Sequence, residues 1–126
     1  PITLPMLQCA LEHVLQWGVA NIARCTAPLT ANIASRARRL GLEVPAAHAP
    51  HIVGIRWTSA ASLRTPAEFA AFLKSQKVYV SVRAGAVRVS VGIYVTAAMV
   101  EHFCALMDSF FRADYATATF LHQPKL

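Results

Sequence analysis

Charged residues are scarce in this sequence. The 126 residues include 12 lysines and arginines and 6 aspartates and glutamates, a charged share of 14% where a typical domain has about 25%. Hydrophobic residues make up 56%, and disordered chains show the opposite balance. The composition therefore excludes intrinsic disorder and, at this length, predicts a single domain with its own core. Such a small monomer cannot bury so much apolar surface, so we expect part of that surface to contact a partner.

Long uninterrupted hydrophobic segments are also missing. The longest stretches without Asp, Glu, Lys or Arg are 12 residues, at 44–55 and 89–100. A transmembrane helix needs about 20 predominantly apolar residues. The sequence therefore predicts no membrane-spanning helix, and no signal peptide or targeting segment is visible.

Cysteine pairs with the spacing of a metal or redox site are absent. Cys9, Cys25 and Cys104 are odd in number and form no CxxC motif. The simplest interpretation is a reduced, cytoplasmic protein. The sequence begins with Pro1 and not with Met, so we expect the chain to be processed or to be a fragment of a longer protein.

The common catalytic and binding motifs are missing as well. There is no GxGxxG, no GxxxxGK[ST] and no HExxH. His48 and His51 have no further ligands nearby in the sequence, so we predict no metal site. Cys9 and His13 are four residues apart on a predicted helix, but a half-buried cysteine beside a surface histidine is the favoured interpretation over a nucleophile and its base.

The net charge of +6 raises the question of a nucleic-acid ligand. Arg36, Arg38 and Arg39 cluster on one predicted helix, but the other basic residues are scattered and no aromatic residues interleave with them. Nucleic-acid binders concentrate basic residues in a patch or along one face. We therefore interpret the charge as a solvated basic surface and predict no nucleic-acid binding.

Two helices are predicted near the start of the chain. Thr3 precedes an apolar pattern of helical period and is expected to cap the first helix, which Gly18 ends. A second helix is predicted over 20–40, with a kink or restart at Pro28 and Gly41 as its C-terminal cap. The apolar positions of the first helix are Leu7, Leu11, Val14 and Leu15.

Strands and helices alternate in the rest of the predicted structure. Runs rich in β-branched residues predict strands at 51–57, 78–82 and 87–91. A capping box places the start of a short helix at Thr65, and Thr96 is expected to cap a last, long helix. The order is αα-β-α-β-β-α, which predicts an α+β fold with two layers: a small antiparallel three-stranded sheet covered on one face by helices.

Two arginines near the predicted hairpin are candidate functional residues. Arg88 lies in the middle of a strand and shares a face with Ser90, opposite the valines, while Arg83 is predicted in the turn 83–86. A charged residue in a central strand is costly unless it is solvated or paired. Spacing alone leaves two interpretations open: Arg88 is simply exposed to water, or it lines a cleft and binds a carboxylate through its planar guanidinium.

These segments together resemble a known family. The stretch HIVGIR at 51–56, the hairpin VYVSVRAGAVRVS at 78–90 and YVT at 94–96 before a long helix resemble the C-terminal small domain of class V aminotransferases. These are fold-type I pyridoxal-phosphate enzymes, and they include cysteine desulfurases and isopenicillin N epimerase-like proteins. The helices upstream resemble those that connect the large domain of these enzymes to the small one.

The resemblance implies an enzyme whose functions are divided between two domains, of which this chain contains one. Residues 1–42 would form a helical connector and residues 43–126 a βαββα small domain, together one domain, while the large cofactor-binding domain is absent. Arg88 matches the family's arginine for the α-carboxylate of the amino-acid substrate, and Arg83 lies where a polar or basic residue often borders the cleft. Pyridoxal phosphate would belong to the parent enzyme and not to this chain, which would be inert alone. Its partners would be the large domain and a second subunit, as in a homo-oligomer.

The sequence departs from the family pattern in two places. The family's Tyr-Asn-Thr is YVT at 94–96, and no cysteine occurs at 76–83, where desulfurases carry a mobile nucleophile, so desulfurase activity is disfavoured. The lysines are Lys74, Lys77 and Lys125, and none is expected to be the desolvated amine that a Schiff base requires.

Two functions of other classes remain open. An N-terminal proline amine is the base of the tautomerase superfamily, so Pro1 could serve a small stand-alone enzyme. Pro1 starts a strand in that superfamily, however, whereas residues 3–5 here lead directly into a predicted helix. The other alternative is a non-enzymatic module that dimerises through its apolar surface.

Overall fold

The computed structural model describes residues 1–58 and 64–121, and the elements in these ranges confirm the predicted α+β order. No helix within them is both long and apolar enough to cross a membrane. The helices are α1 (Thr3–Trp17), α2 (Val19–Arg39), α3 (Pro66–Ser75) and α4 (Ala97–Leu121), and the strands are β1 (Ile52–Arg56), β2 (Ser81–Arg83) and β3 (Ala86–Ser90).

The strands form one antiparallel sheet in the order β1-β3-β2. In the central strand, Arg88 lies opposite Gly54 of β1 on one side and opposite Ser81 of β2 on the other. The hairpin between β2 and β3 turns at Ala84 and Gly85, whose φ angles are 47° and 74°. Two successive positive φ angles are typical of the type I′ turn, whose twist matches that of the flanking strands.

One face of the sheet packs against helices, as predicted. Val53, Ile55 and Val87 are fully buried on this face. Phe69 of α3 is also fully buried and contacts the rings of Trp57, Phe103, Phe110 and Phe111. Full burial of one such large apolar side chain is worth about 1.5–3 kcal/mol, so each residue of this layer contributes to the stability of the fold. The helical part of the core consists of Ile33, Ala34, Ala37, Phe69, Leu73, Val100, Phe103, Cys104, Met107, Phe110 and Phe111.

Side chains cap the helices after β1 as the sequence predicts. The Thr65 hydroxyl accepts a hydrogen bond from the Glu68 N–H at 3.2 Å, and the Glu68 carboxylate accepts one from the Thr65 N–H at 2.6 Å. This is the reciprocal capping box at the start of α3. The Thr96 hydroxyl accepts from the Met99 N–H at 3.2 Å and so caps α4.

Gly41 ends α2 as predicted. Its φ angle is 80°, and its N–H donates to the Arg38 carbonyl at 3.0 Å. The Leu42 N–H reaches back to the Ala37 carbonyl at 3.0 Å, which completes a Schellman motif. Glycine suits the position because it has no Cβ to clash in the left-handed conformation.

The predicted cap at Thr3 is wrong. Helix α1 begins at Thr3, Ile2 is its N-cap residue, and no side chain caps it. A capping Thr3 hydroxyl would need an N–H two or three residues on. Pro5 has none, and the Met6 N–H already donates to the Ile2 carbonyl at 3.2 Å.

Two other boundaries differ from the sequence predictions. Helix α2 does not restart at Pro28 but continues through it to Arg39. Strand β2 begins at Ser81 and not at Val78. The Val78 N–H donates to the Leu73 carbonyl at 2.9 Å and so belongs to the C-terminal cap of α3.

Helix α1 contributes no buried residue. The apolar face predicted from its helical period is therefore not covered: Leu7 and Leu11 are each 53% exposed and Leu15 is 78% exposed. Each of these side chains would be stabilised by burial against another surface. This exposed stripe matches the expectation that part of the apolar surface contacts a partner.

Candidate functional site

The second face of the sheet carries the candidate site, and we call it the open face. Strand side chains alternate, so the neighbours of buried Val53 and Val87 point away from the helices. The open face consists of Ile52, Gly54 and Arg56 of β1, Ala86, Arg88 and Ser90 of β3, and Ser81 and Arg83 of β2.

Arg88 lies at the centre of the open face. Its side chain is exposed, and its Nε donates a hydrogen bond to the Ser81 Oγ at 3.2 Å. An arginine has five N–H donors, so this bond leaves the two terminal nitrogens with four. Two parallel N–H donors are the arrangement that binds a carboxylate in a bidentate manner.

The structure corrects the position of Arg83 and adds Arg56 to the site. Arg83 is not in the turn but is the last residue of β2, and it pairs with Ala86 of β3. Arg56 of β1 pairs with the same alanine from the other side. Alternation therefore places Arg56, Arg83 and Arg88 on one face, where all three are exposed.

Three residues of the open face were not expected from the sequence: Arg56, Ser81 and Gly54. A two-residue turn at Ala84 and Gly85 fixes the β2–β3 pairing, so counting outward from it would have placed Ser81 opposite Arg88. No comparable local signal identifies Gly54 or Arg56, because the pairing of β1 with β3 joins segments far apart in the sequence.

The arginines of the open face differ from Arg36, which is paired. Arg36 bridges α2 to α4 through Glu101 and Asp108, with both N···O distances at 3.2 Å. Within residues 1–58 and 64–112, Arg88 makes no ion pair, and the same holds for Arg83. The antiparallel bridge between Glu43 and Arg56 places one carboxylate at the edge of this face, beside Arg56. The positive charges of Arg83 and Arg88 make the rest of the face attractive to anions.

The other residues considered from the sequence do not form a second site. His13 stacks on Trp17 with ring centroids 5.4 Å apart. His48 bonds through Nδ1 to the Ala49 carbonyl. In the part of the chain that the structure describes, no group of three or more histidine, cysteine or acidic residues could hold a metal ion.

Cys104 is the cysteine inside the core. It is fully buried, and burial raises the pKa of its thiol above the usual value, an effect that the nearby Arg36 charge partly offsets. A thiol that stays protonated is a poor nucleophile. Cys9 and Cys25 are exposed on the first two helices, so the expectation of a half-buried Cys9 is wrong.

A cavity of about 670 Å³ lies beside the sheet, between the segment after α3, the end of β3 and the start of α4. Pyridoxal-phosphate sites combine a Schiff-base lysine with an acidic or basic partner for the pyridine nitrogen. No carboxylate lines this cavity among the described residues. Lys77 reaches its edge but is exposed, Lys74 is exposed on α3, and Lys125 lies outside the described residues. The residues present therefore do not fit this cofactor.

Comparison with known proteins finds likeness in structure but not in sequence. No protein-family model matches the chain, and no curated protein matches it. A NifS-like protein superposes with a TM-score of 0.69 at 19% identity, covering 80% of this chain and 31% of that chain. A cysteine desulfurase from Thermococcus onnurineus NA1 gives 0.70 at 19% identity, covering 81% and 29%. An alanine–glyoxylate aminotransferase from Nostoc sp. gives 0.60 at 17% identity, covering 82% and 29%.

These neighbours confirm the resemblance to class V pyridoxal-phosphate enzymes at the level of the fold. An identity of 17–19% carries the fold and no more. The chain spans 29–31% of the length of the structures it matches. Its architecture is thus one that recurs as part of larger enzymes.

Proposed function

We propose that this chain is the C-terminal, substrate-side domain of a pyridoxal-phosphate-dependent enzyme similar to class V aminotransferases. The proposal is supported by the shared fold and by one observation above all. Arg88 stands on the central strand of an open sheet face with its terminal nitrogens free of any ion pair in the described residues. In this function Arg88 binds the α-carboxylate of an amino-acid substrate.

The chemistry of Arg88 suits this role. Its guanidinium is planar, stays charged at all physiological pH values and matches the two oxygens of a carboxylate. Arg83 adds positive charge to the same face and lies close enough along the sheet to attract the substrate or to bind a second acidic group. The two residues orient the substrate, and neither performs a covalent step.

The cofactor belongs to the parent enzyme. When bound there, pyridoxal phosphate acts as the electron sink for reactions at the amino-acid α-carbon. Neither described lysine here fits as its Schiff-base partner, so we propose that the chain alone is inert. The absence of cysteine from residues 76–83 argues against a desulfurase, and the reaction type would be set by the large domain of the parent enzyme.

The exposed stripe of α1 indicates where the partner domain would pack. Leu7, Leu11 and Leu15 are each more than half exposed, and at a spacing of four residues they form an apolar surface along the helix. We propose that the large domain covers this surface, with a second subunit in a cytoplasmic homo-oligomer. The stripe equally supports the alternative of a dimerisation module. A monomeric mass of the isolated chain in light scattering would contradict that alternative.

Kinetics of the enzyme formed with its large domain test the role of Arg88. Arg88→Ala should weaken binding of the amino-acid substrate by about 1.5–3 kcal/mol, the usual loss for a hydrogen bond to a charged group. The matched control is Arg39→Ala, because Arg39 is exposed on α2, on the helical side of the sheet. Equal KM values for Arg88→Ala and the control would remove Arg88 from the site. Tautomerase activity that is lost in Pro1→Ala would favour the Pro1 alternative instead.

A further inference from the structure

Arg88 has a different kind of neighbour on each side of its strand. Ser81 of β2 and Gly54 of β1 lie directly opposite it in the two ladders. Directly opposed residues in antiparallel strands have Cβ atoms about 4.5–5.5 Å apart, so both positions border the guanidinium. One neighbour supplies a hydroxyl, and the other supplies no side chain.

Ser81 restricts how Arg88 presents its donors. The serine is half-buried, and its Oγ accepts the Nε–H of Arg88 at 3.2 Å. A free arginine can bind a carboxylate along its Nε edge or along its terminal edge, because its donors form a planar fork. The bond to Ser81 occupies the Nε edge. The terminal edge is left for a carboxylate, which favours end-on binding.

Neither the backbone conformation nor the space around residue 54 requires a glycine at this position. Positive φ angles occur at Gly18, Gly41 and Gly85 but not at Gly54. A Cβ built on Gly54 would meet no atom within 4 Å. A strand interior favours β-branched residues, and a glycine there weakens the strand or marks the close approach of a ligand or another backbone.

We propose that Ser81 and Gly54 shape the anion subsite of Arg88: Ser81 orients the guanidinium, and Gly54 keeps open the space that a carboxylate enters. Ser81 is a positioning residue, and Gly54 decides what size of group can approach. The inference rests on the carboxylate-binding role proposed for Arg88 and adds the geometry of that site.

Nuclear magnetic resonance of the whole 126-residue chain tests the proposal directly. The arginine side-chain signals are followed during titration with acetate, at an ionic strength held constant with chloride. In the unmodified chain, acetate should shift the terminal N–H signals of Arg88, and the Nε–H of Arg88 should exchange slowly with water. Ser81→Ala should speed that exchange and weaken acetate binding by about three- to tenfold, the loss expected for one hydrogen bond. Ser81→Thr should restore both.

Gly54→Val tests the space beside Arg88. It should abolish the acetate-dependent shifts while the chain remains folded, because the backbone accepts valine and nothing within 4 Å opposes its Cβ. The matched control is Ala86→Val, which adds a similar bulk on the same face of the same sheet but opposite Arg56 and Arg83. This control should leave the shifts of Arg88 intact.

The outcomes separate this inference from the proposed function. If acetate shifts no Arg88 signal in the unmodified chain, both the carboxylate role and the present inference are overturned. If acetate binds equally well to the unmodified chain, Ser81→Ala and Gly54→Val, the inference fails while the role of Arg88 stands. Loss of binding in Ala86→Val as well as in Gly54→Val would also overturn it, because the effect would then not be specific to the space at Gly54.

Discussion

The two faces of the sheet use the same strands in opposite ways. On the helical face, Val53, Ile55 and Val87 are fully buried. On the open face, Arg88 and Arg83 are exposed and make no ion pair in the described part of the chain. Because strand side chains alternate, every second residue serves stability and its neighbour is free to serve binding. The comparison teaches that the stability and the binding capacity of this small sheet can be altered separately.

A core substitution should have the largest effect on stability. Ile55→Ala should lower the free energy of unfolding by about 2–5 kcal/mol, because it removes buried methyl groups and leaves a cavity. Ile52→Ala is the matched control, since Ile52 is half-buried on the open face of the same strand. Urea denaturation should show a clearly smaller loss for the control. Equal losses would contradict the separation of the two faces.

The cap of α3 should matter less than the core it supports. Thr65→Ala should lower the free energy of unfolding, measured by urea denaturation, by about 1 kcal/mol, because the Glu68 N–H loses its acceptor at the helix start. Thr65→Ser retains the hydroxyl and should restore most of the loss. If Thr65→Ser is as unstable as Thr65→Ala, the hydroxyl does not act as the cap.

The same cap predicts a pH dependence. The hydrogen bond from the Thr65 N–H, followed by that with its side chain, lowers the pKa of Glu68 below its ordinary value. A carboxyl group with a lowered pKa in the folded state stabilises that state above its unfolded pKa, and this contribution is lost as the pH falls through the folded pKa. The unmodified chain should therefore be more stable than Glu68→Gln at neutral pH, and this difference in stability should disappear in acid. An advantage that persists below the pKa of Glu68 would contradict this assignment.

The smallest effect on stability is expected at the centre of the open face. Arg88→Gln should change the free energy of unfolding by no more than about 0.5 kcal/mol, because the residue is exposed and has no ion pair to lose within the described residues. Arg36→Gln should cost more, since Arg36 contacts both Glu101 and Asp108. Thermal denaturation of the two variants measures the difference. A greater loss for Arg88→Gln than for Arg36→Gln would show that the open face supports the fold.

Local patterns predicted much of this fold. The capping box at Thr65, the cap at Thr96 and the glycine cap at Gly41 each depend on residues within a few positions, and all are confirmed. The alternation around Arg88 was predicted for the same reason. The predicted strand at 78–82 was partly wrong because its first residues compete with the end of α3 for hydrogen bonds.

The site was predictable in part. The sequence singled out Arg88 and Arg83, but it could not show that Arg56 joins them on one face. It also could not choose between a solvated and a ligand-binding Arg88, because both give the same spacing. The structure shows that the Arg88 side chain is exposed and bonded to Ser81. The remaining question is which ligand approaches Arg88 on the open face.

The sequence by itself determined four properties of this protein. They are the small number of charges, the excess of apolar surface, the caps of α3 and α4 and the class of fold. These properties depend on composition or on hydrogen bonds between residues close along the chain. Only the tertiary structure decided that Gly54 of the distant strand β1 lies beside Arg88 and that the apolar stripe of α1 lies uncovered. Strand pairing and helix packing join distant segments, and their geometry depends on how the whole core closes.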